Sequence, residues 1–152
     1  MMWISFAIFL MACGAAATTG AMFGPDEWYR NLDKPSWNPP DWLFPVAWTF
    51  LYLAMSYAGA RLAVLHNAGL PLALWALQIA LNTLWTPIFF GLKDLKAAMI
   101  VIVFLMLSVV IATIVFFQYD SLAGWLFLPY AIWVSYAAAL NWSILQRNPQ
   151  PA

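Results

Sequence analysis

PLALWALQIALNTLWTPIFFGL, Pro71 to Leu92, contains no charged residue. At 1.5 Å per residue a helix of this length reaches about 33 Å, enough to cross a hydrocarbon core roughly 30 Å thick. Within it, Trp75, Gln78, Asn82, Trp85 and Phe89 recur at spacings of three and four, which is one helical face. Amide side chains in hydrocarbon need partners, so this face looks inward, toward other helices. The stretch predicts a membrane span with a polar and aromatic inner face.

Composition carries that reading to the rest of the chain. Of 152 residues, 65% are hydrophobic and 8% charged, with mean hydropathy +0.80. A soluble domain carries about 25% charged residues, so this chain could not cover a water-facing surface. Four further segments are long and apolar enough to span: about residues 3–23, 43–64, 97–117 and 122–145. The apolar run of the second ends at Ala60, and Arg61 marks its exit. The fourth has only Ser108 and Thr113 as polar residues and offers packing or lipid contact rather than a seam. The fold class expected is all-α: one integral membrane bundle of five helices over residues 1–152.

The first span lacks a basic leader and runs on through GAAATTGAMFG without a cleavage end, so it reads as a retained helix. Its small-residue pairs, Gly20 with Gly24 and Ala12 with Ala16, permit close helix approach, either within the chain, which is the expected use, or across a dimer. No internal repeat appears, and five spans argue against the two-fold repeats of many secondary transporters. Lys plus Arg and Asp plus Glu number six each, with no basic run to hold a nucleic acid. The single Cys13 lies in an apolar run and reads as a small buried residue. No metal site is expected.

Five spans put the termini on opposite sides. Arg30, Lys34, Lys93, Lys96 and Arg147 gather on one side, against Arg61 alone on the other. The positive-inside rule then puts the first loop and the C-terminus in the cytosol and the N-terminus outside. Helical spans imply an inner membrane.

The first loop, about residues 24–42, is the long connection. It holds Trp28, Tyr29, Trp37 and Trp42, whereas disordered segments are poor in aromatics. GPDEWYRNLDKP reads as a short helix with Pro25 at its first position, Asp26 and Glu27 at its positive end, and Pro35 closing it. WNPPDW then stiffens the chain without backbone donors at Pro39 and Pro40. A rigid aromatic lid is expected, although interfacial tryptophan belts would also account for any one of these rings.

Two other spans carry aromatic faces. Trp48, Tyr52 and Met55 share one; Trp133, Tyr136 and Ala137 share another, with Pro129 and Tyr130 loosening the backbone one turn earlier. Aromatics on several helices, two amides and a lid describe a pocket for a large, flat, mostly apolar ligand. They equally describe helix-to-helix packing, and the residues alone leave the two readings even.

At these residues the chain resembles the translocator protein, or tryptophan-rich sensory protein (TspO/MBR), family. The resemblance rests on Trp28 and Tyr29, KPSWNPP at 34–40, FPVAWTFLY at 44–52, ALNTLWTPIFFGLK at 80–93, LPYAIW at 128–133 and LNW at 140–142. It looks most like the proteobacterial members, some of which occupy the outer membrane. The resemblance implies five transmembrane helices, a homodimer, and binding of porphyrins or haem-type tetrapyrroles beneath the first loop, with no required cofactor. Some members also bind sterols and synthetic ligands. Carried over by motif, the ligand-binding residues are Trp37, Trp48, Tyr52, Asn82, Trp85, Trp133 and Ala137. The animal sterol pattern is not intact here: its Tyr position is Trp142, and its basic position is Gln146, with Arg147 one later.

The function implied is a membrane sensor or receptor for porphyrin that regulates tetrapyrrole or stress responses. Two alternatives accompany it. One is light- and oxygen-dependent porphyrin degradation, with Trp48 and Trp133 as the oxidisable indoles. The other is passive carriage of lipophilic ligands. No acid–base constellation is present, and the lone His66, in the loop opposite the lid, reads as a solvated residue rather than a haem ligand.

Overall fold

The computed structural model describes residues 1–149. All regular structure in this span is helical: α1 (Met2–Met22), α2 (Glu27–Asn31), α3 (Leu43–Ala63), α4 (Gly69–Thr86), a wide π turn (Pro87–Gly91), α5 (Leu95–Tyr119) and α6 (Ser121–Arg147). Five helices are long and apolar enough to cross a membrane, with α4 counted through its π turn to Gly91. Helices suit that solvent because their backbone donors and acceptors pair within the segment.

Packing sets the helices in a ring. α1 lies against α3 and α4, α4 against α5, α5 against α6, and α6 closes on α3. The inward face of α5 is Leu95, Ala98, Ile102, Leu105, Val109, Ala112 and Phe116, again spaced by three and four. Buried Ser108 and Thr113 donate to carbonyls of their own helix, so α5 adds no polar group to the interior. The sequence reading of this helix as packing material matches that arrangement.

Helix ends follow local chemistry. Asp94 caps α5 by accepting from the Ala97 N–H at 2.9 Å, and Asp120 caps α6 by accepting from Ala123 at 3.0 Å. These caps extend both helices beyond the apolar runs that mark them in the sequence. At the end of α4, Pro87 has no N–H to continue the ladder. The chain opens into the wider turn, where the Leu92 N–H reaches the Pro87 carbonyl at 2.9 Å.

Three sequence expectations change. Gly20 and Gly24 do not form a packed pair: α1 ends at Met22, and a side chain at Gly20 would meet nothing within 4 Å. Ala16 is buried and Ala12 half-buried, so that pair supplies the intrachain contact. Close approach falls elsewhere, at Gly59, where a Cβ would sit 2.9 Å from the Phe9 ring. Pro25 lies before the cap of α2 rather than at its first position, because Asp26 takes the capping role. Finally, α6 runs unbroken through Pro129, which sits on its exposed face, while neighbouring Tyr130 is fully buried.

Candidate ligand-binding site

The lid is built by its own short-range bonds. Asp26 Oδ1 accepts from the Tyr29 N–H at 3.0 Å and starts α2. Lys34 ends it, its Nζ donating to the carbonyls of Tyr29, Arg30 and Leu32 at 2.7, 3.1 and 3.2 Å. These are the orphan acceptors of a helix C-terminus, where a cation is favoured. Pro35 and Pro39 are buried, and the Asn38 N–H closes a turn onto the Pro35 carbonyl.

Three long-range clasps hold this lid to the bundle. Lys93 pairs with Asp26 at 2.8 Å, and that cation, with the Tyr29 N–H behind it, holds the Asp26 carboxyl below its ordinary value. Asp33 and Asn148 bond reciprocally: the Asp33 N–H donates to Asn148 Oδ1, and Asn148 Nδ2 donates to the Asp33 carbonyl, both at 2.9 Å. The Tyr136 hydroxyl donates to the Trp37 carbonyl at 2.5 Å, with the two rings edge to face. Beneath these clasps Tyr29 is buried against Phe89 and Phe90, and burial pushes its phenol up.

Below the lid lies a tier of hydrogen-bonded side chains from three helices. The Tyr52 hydroxyl (α3) donates to Asn82 Oδ1 (α4) at 3.0 Å, and Asn82 Nδ2 donates to the Tyr130 hydroxyl (α6) at 3.1 Å. Trp48 stacks obliquely on Tyr52 at 5.4 Å and meets Tyr130 edge to face at 6.0 Å. Trp133 contacts Phe44 and Tyr136, each at 6.0 Å. Trp85 turns its indole N–H to Asn141 Oδ1 at 3.1 Å and lays its ring on Phe89 at 4.9 Å.

Of the residues expected to bind ligand, Trp48 and Asn82 are thus joined through Tyr52, which contacts both. Trp37 and Trp133 are joined through Tyr136, half-buried Ala137 follows one residue on, and Trp85 sits in a separate lid-side cluster with Tyr29 and Phe89. A groove of about 530 Å³ opens on the outer side of α6, with Pro39, Leu43, Trp133 and Tyr136 in its wall. Trp133 therefore faces both this groove and the core beside Phe44. The arrangement offers wide stacking area and few polar groups. Among the described residues no group of three or more His, Cys, Asp or Glu could hold a metal.

The sequence profile of the TspO/MBR family matches residues 4–147 of this chain. The chain belongs to the TspO/MBR family. It is 52% identical over 148 residues to the tryptophan-rich sensory protein of Cereibacter sphaeroides, covering 97% of this chain and 94% of that one. It is 53% identical over 148 residues to protein CrtK of Rhodobacter capsulatus, covering 95% and 92%. It is also 31% identical over 154 residues to the human translocator protein, covering 96% and 91%. As a TspO/MBR member with five spanning helices, it is an integral, multi-pass membrane protein.

Sequence reasoning left two partners out of this TspO/MBR site. Tyr130 was read as loosened backbone, yet it is the acceptor for Asn82; the signal was a buried amide that needs a partner on a facing helix. Asn141 shows in the sequence only as part of the LNW block, yet it joins α4 to α5 by accepting from Trp85 and donating to the Leu95 carbonyl at 3.4 Å.

Proposed function

We propose that the protein is a membrane receptor for porphyrins of the protoporphyrin and haem type, with its site among the aromatic side chains beneath the lid. The observation that carries this reading is the convergence of Trp48, Tyr52, Asn82 and Trp133 from three helices below a loop clasped at three points. A tetrapyrrole is flat, wide and mostly apolar, and indole and phenol rings stack on such a surface with little cost in side-chain entropy. Trp37 closes the site from the lid, Ala137 leaves space beside Trp133, and Trp85 forms the lid-side wall. The relative named as a tryptophan-rich sensory protein supports a sensory role. In that role the occupied site alters the lid, which the positive-inside rule puts in the cytosol with the C-terminus, and a homodimer is the assembly.

The test is a titration of detergent-purified protein with protoporphyrin IX in the dark, followed by tryptophan quenching. Saturable one-site binding, weakened at least tenfold in a folded Trp37→Ala variant, supports the reading. Unchanged affinity in that variant removes the lid from the site, and no saturable binding returns the aromatic tier to helix packing. Illumination of the complex then counts products per protein. Many turnovers, lost when Trp48 and Trp133 are both changed to Phe, would make the protein an enzyme instead.

A further inference from the structure

Gln78 is fully buried in the middle of α4, and neither its Oε1 nor its Nε2 has a hydrogen-bond partner in the protein. The other interior amides are spent. Asn82 uses both ends on Tyr52 and Tyr130, and Asn141 uses both on Trp85 and Leu95. An unpartnered buried amide costs a few kcal/mol, so a bundle shaped only by packing would place an apolar residue there.

The level of Gln78 in the bundle follows from bonds between helices. Trp75 donates to the Met55 carbonyl at 3.0 Å, and Asn82 bonds Tyr52, so Gln78 lies one helical turn from Asn82 on the side away from the lid. On α1, Phe9 packs on Trp75 at 4.5 Å, which brings Cys13 to the same level. The buried Ser56 hydroxyl donates to the Tyr52 carbonyl at 2.7 Å and is therefore engaged, and the buried Cys13 thiol is only a weak donor. Gln78 alone keeps an acceptor and a donor side by side, on the helical face that also carries Asn82 and Trp85.

We propose that Gln78 is a ligand-recognition residue at the deep end of the site and takes a neutral carboxylic acid edge of the bound tetrapyrrole. The inference rests on the porphyrin reading above. A primary amide and a carboxylic acid are complementary: the acid O–H donates to Oε1, and Nε2–H donates to the acid carbonyl. In a water-poor interior such a pair leaves neither group unsatisfied. Ligand entry exchanges the Tyr52–Asn82–Tyr130 bonds, which turn on one rotatable amide, for contacts with the ligand. Stacking on the tryptophans tolerates many flat ligands, and this amide distinguishes among them.

The experiment uses two ligands and two proteins in the dark: protoporphyrin IX and its dimethyl ester, on the wild type and on Gln78→Leu, with Gln78→Met as a second apolar variant. The ester keeps the ring and the carbonyls but lacks the acid O–H. Loss of the one acid O–H bond, which leaves Oε1 unsatisfied, predicts a preference for acid over ester of about tenfold in the wild type, lost in both variants. The ligand-free variants should unfold at the same or higher temperature than the wild type. Equal acid-to-ester ratios in wild type and variants overturn the inference, as does a lowered melting temperature, which would mean that internal water already satisfies the amide. Absence of saturable binding of either ligand to the wild type overturns the porphyrin reading itself, and this inference with it.

Discussion

Replacing Asn82 with Leu should unbalance the centre of the bundle in a way that can be computed from its partners. The side chain is 5% exposed, accepts from Tyr52 and donates to Tyr130, which is fully buried. Leu has the same branched skeleton and is no smaller, so no cavity opens, and the loss is chiefly that of two interhelical hydrogen bonds. Such bonds in membrane bundles average about 0.6 kcal/mol each and reach about 1.7. Both phenol hydroxyls are also left beside apolar neighbours, so Asn82→Leu should cost about 1–3 kcal/mol. The triple variant Tyr52→Phe, Asn82→Leu, Tyr130→Phe removes every polar partner at once and should lose less than Asn82→Leu alone. Reversible unfolding in mixed detergent micelles, followed by far-UV circular dichroism, gives all the free energies required. A triple variant as unstable as the sum of its single changes would refute the argument.

Three further perturbations test other parts of the fold. Asp120→Ala removes the cap of α6 and the ion pair to Arg61 at 2.7 Å, at a cost of about 1–2 kcal/mol in thermal unfolding, whereas Asp120→Asn should keep most of the cap. Arg61, and then the Ala123 N–H, hold the Asp120 carboxyl below its ordinary value, so its contribution is full above about pH 3.9 and lost as pH falls through the folded value. A melting temperature difference between wild type and Asp120→Ala that is the same at pH 7 and pH 3 would contradict this. Gly59→Ala drives a methyl into Phe9, which Trp75 pins from the other side, and should cost about 1–3 kcal/mol; Phe9→Leu in the same chain should restore most of it. Asn148→Ala opens one clasp of the lid, so amide exchange at Asp33 should quicken several-fold while global stability moves by less than about 1 kcal/mol.

Much of this architecture is legible in the sequence because bilayer physics leaves few choices. Runs of about 20 apolar residues have to be helices, and amides at positions 78 and 82 have to face inward. The lid could be read as ordered because Trp28, Tyr29 and Trp37 have no place in a disordered segment. Helical spacing found the faces of α3 and α4 for the same reason. What the sequence hid are facts of pairing. Nothing local to Asn148 marks it as the partner of Asp33, and nothing beside Pro129 marks Tyr130 as the mate of Asn82. The widened turn from Pro87 was equally silent, because the apolar run continues through it to Leu92. Glycines misled too: the GxxxG at Gly20 and Gly24 straddles the end of α1, while unremarked Gly59, Gly91 and Gly124 make the close contacts.

The clasp between Asp33 and Asn148 joins residues 115 positions apart. Ribosomes add about 5–20 residues per second, so the lid waits roughly 6–23 seconds after its own synthesis before its fastening exists. Until then its tryptophans sit at the membrane edge with the Lys93 pairing, available once α4 has been laid in, and at the very end the Tyr136 bond to Trp37. Closure of this clasp is therefore the last fastening of the roof, and a chain arrested before residue 148 would hold the lid by the Lys93 and Tyr136 contacts alone. The same connection decides where a reporter can be attached. A fluorophore attached beside Asn148 would bear on the roof, whereas one at Met1 lies at the far end of the bundle.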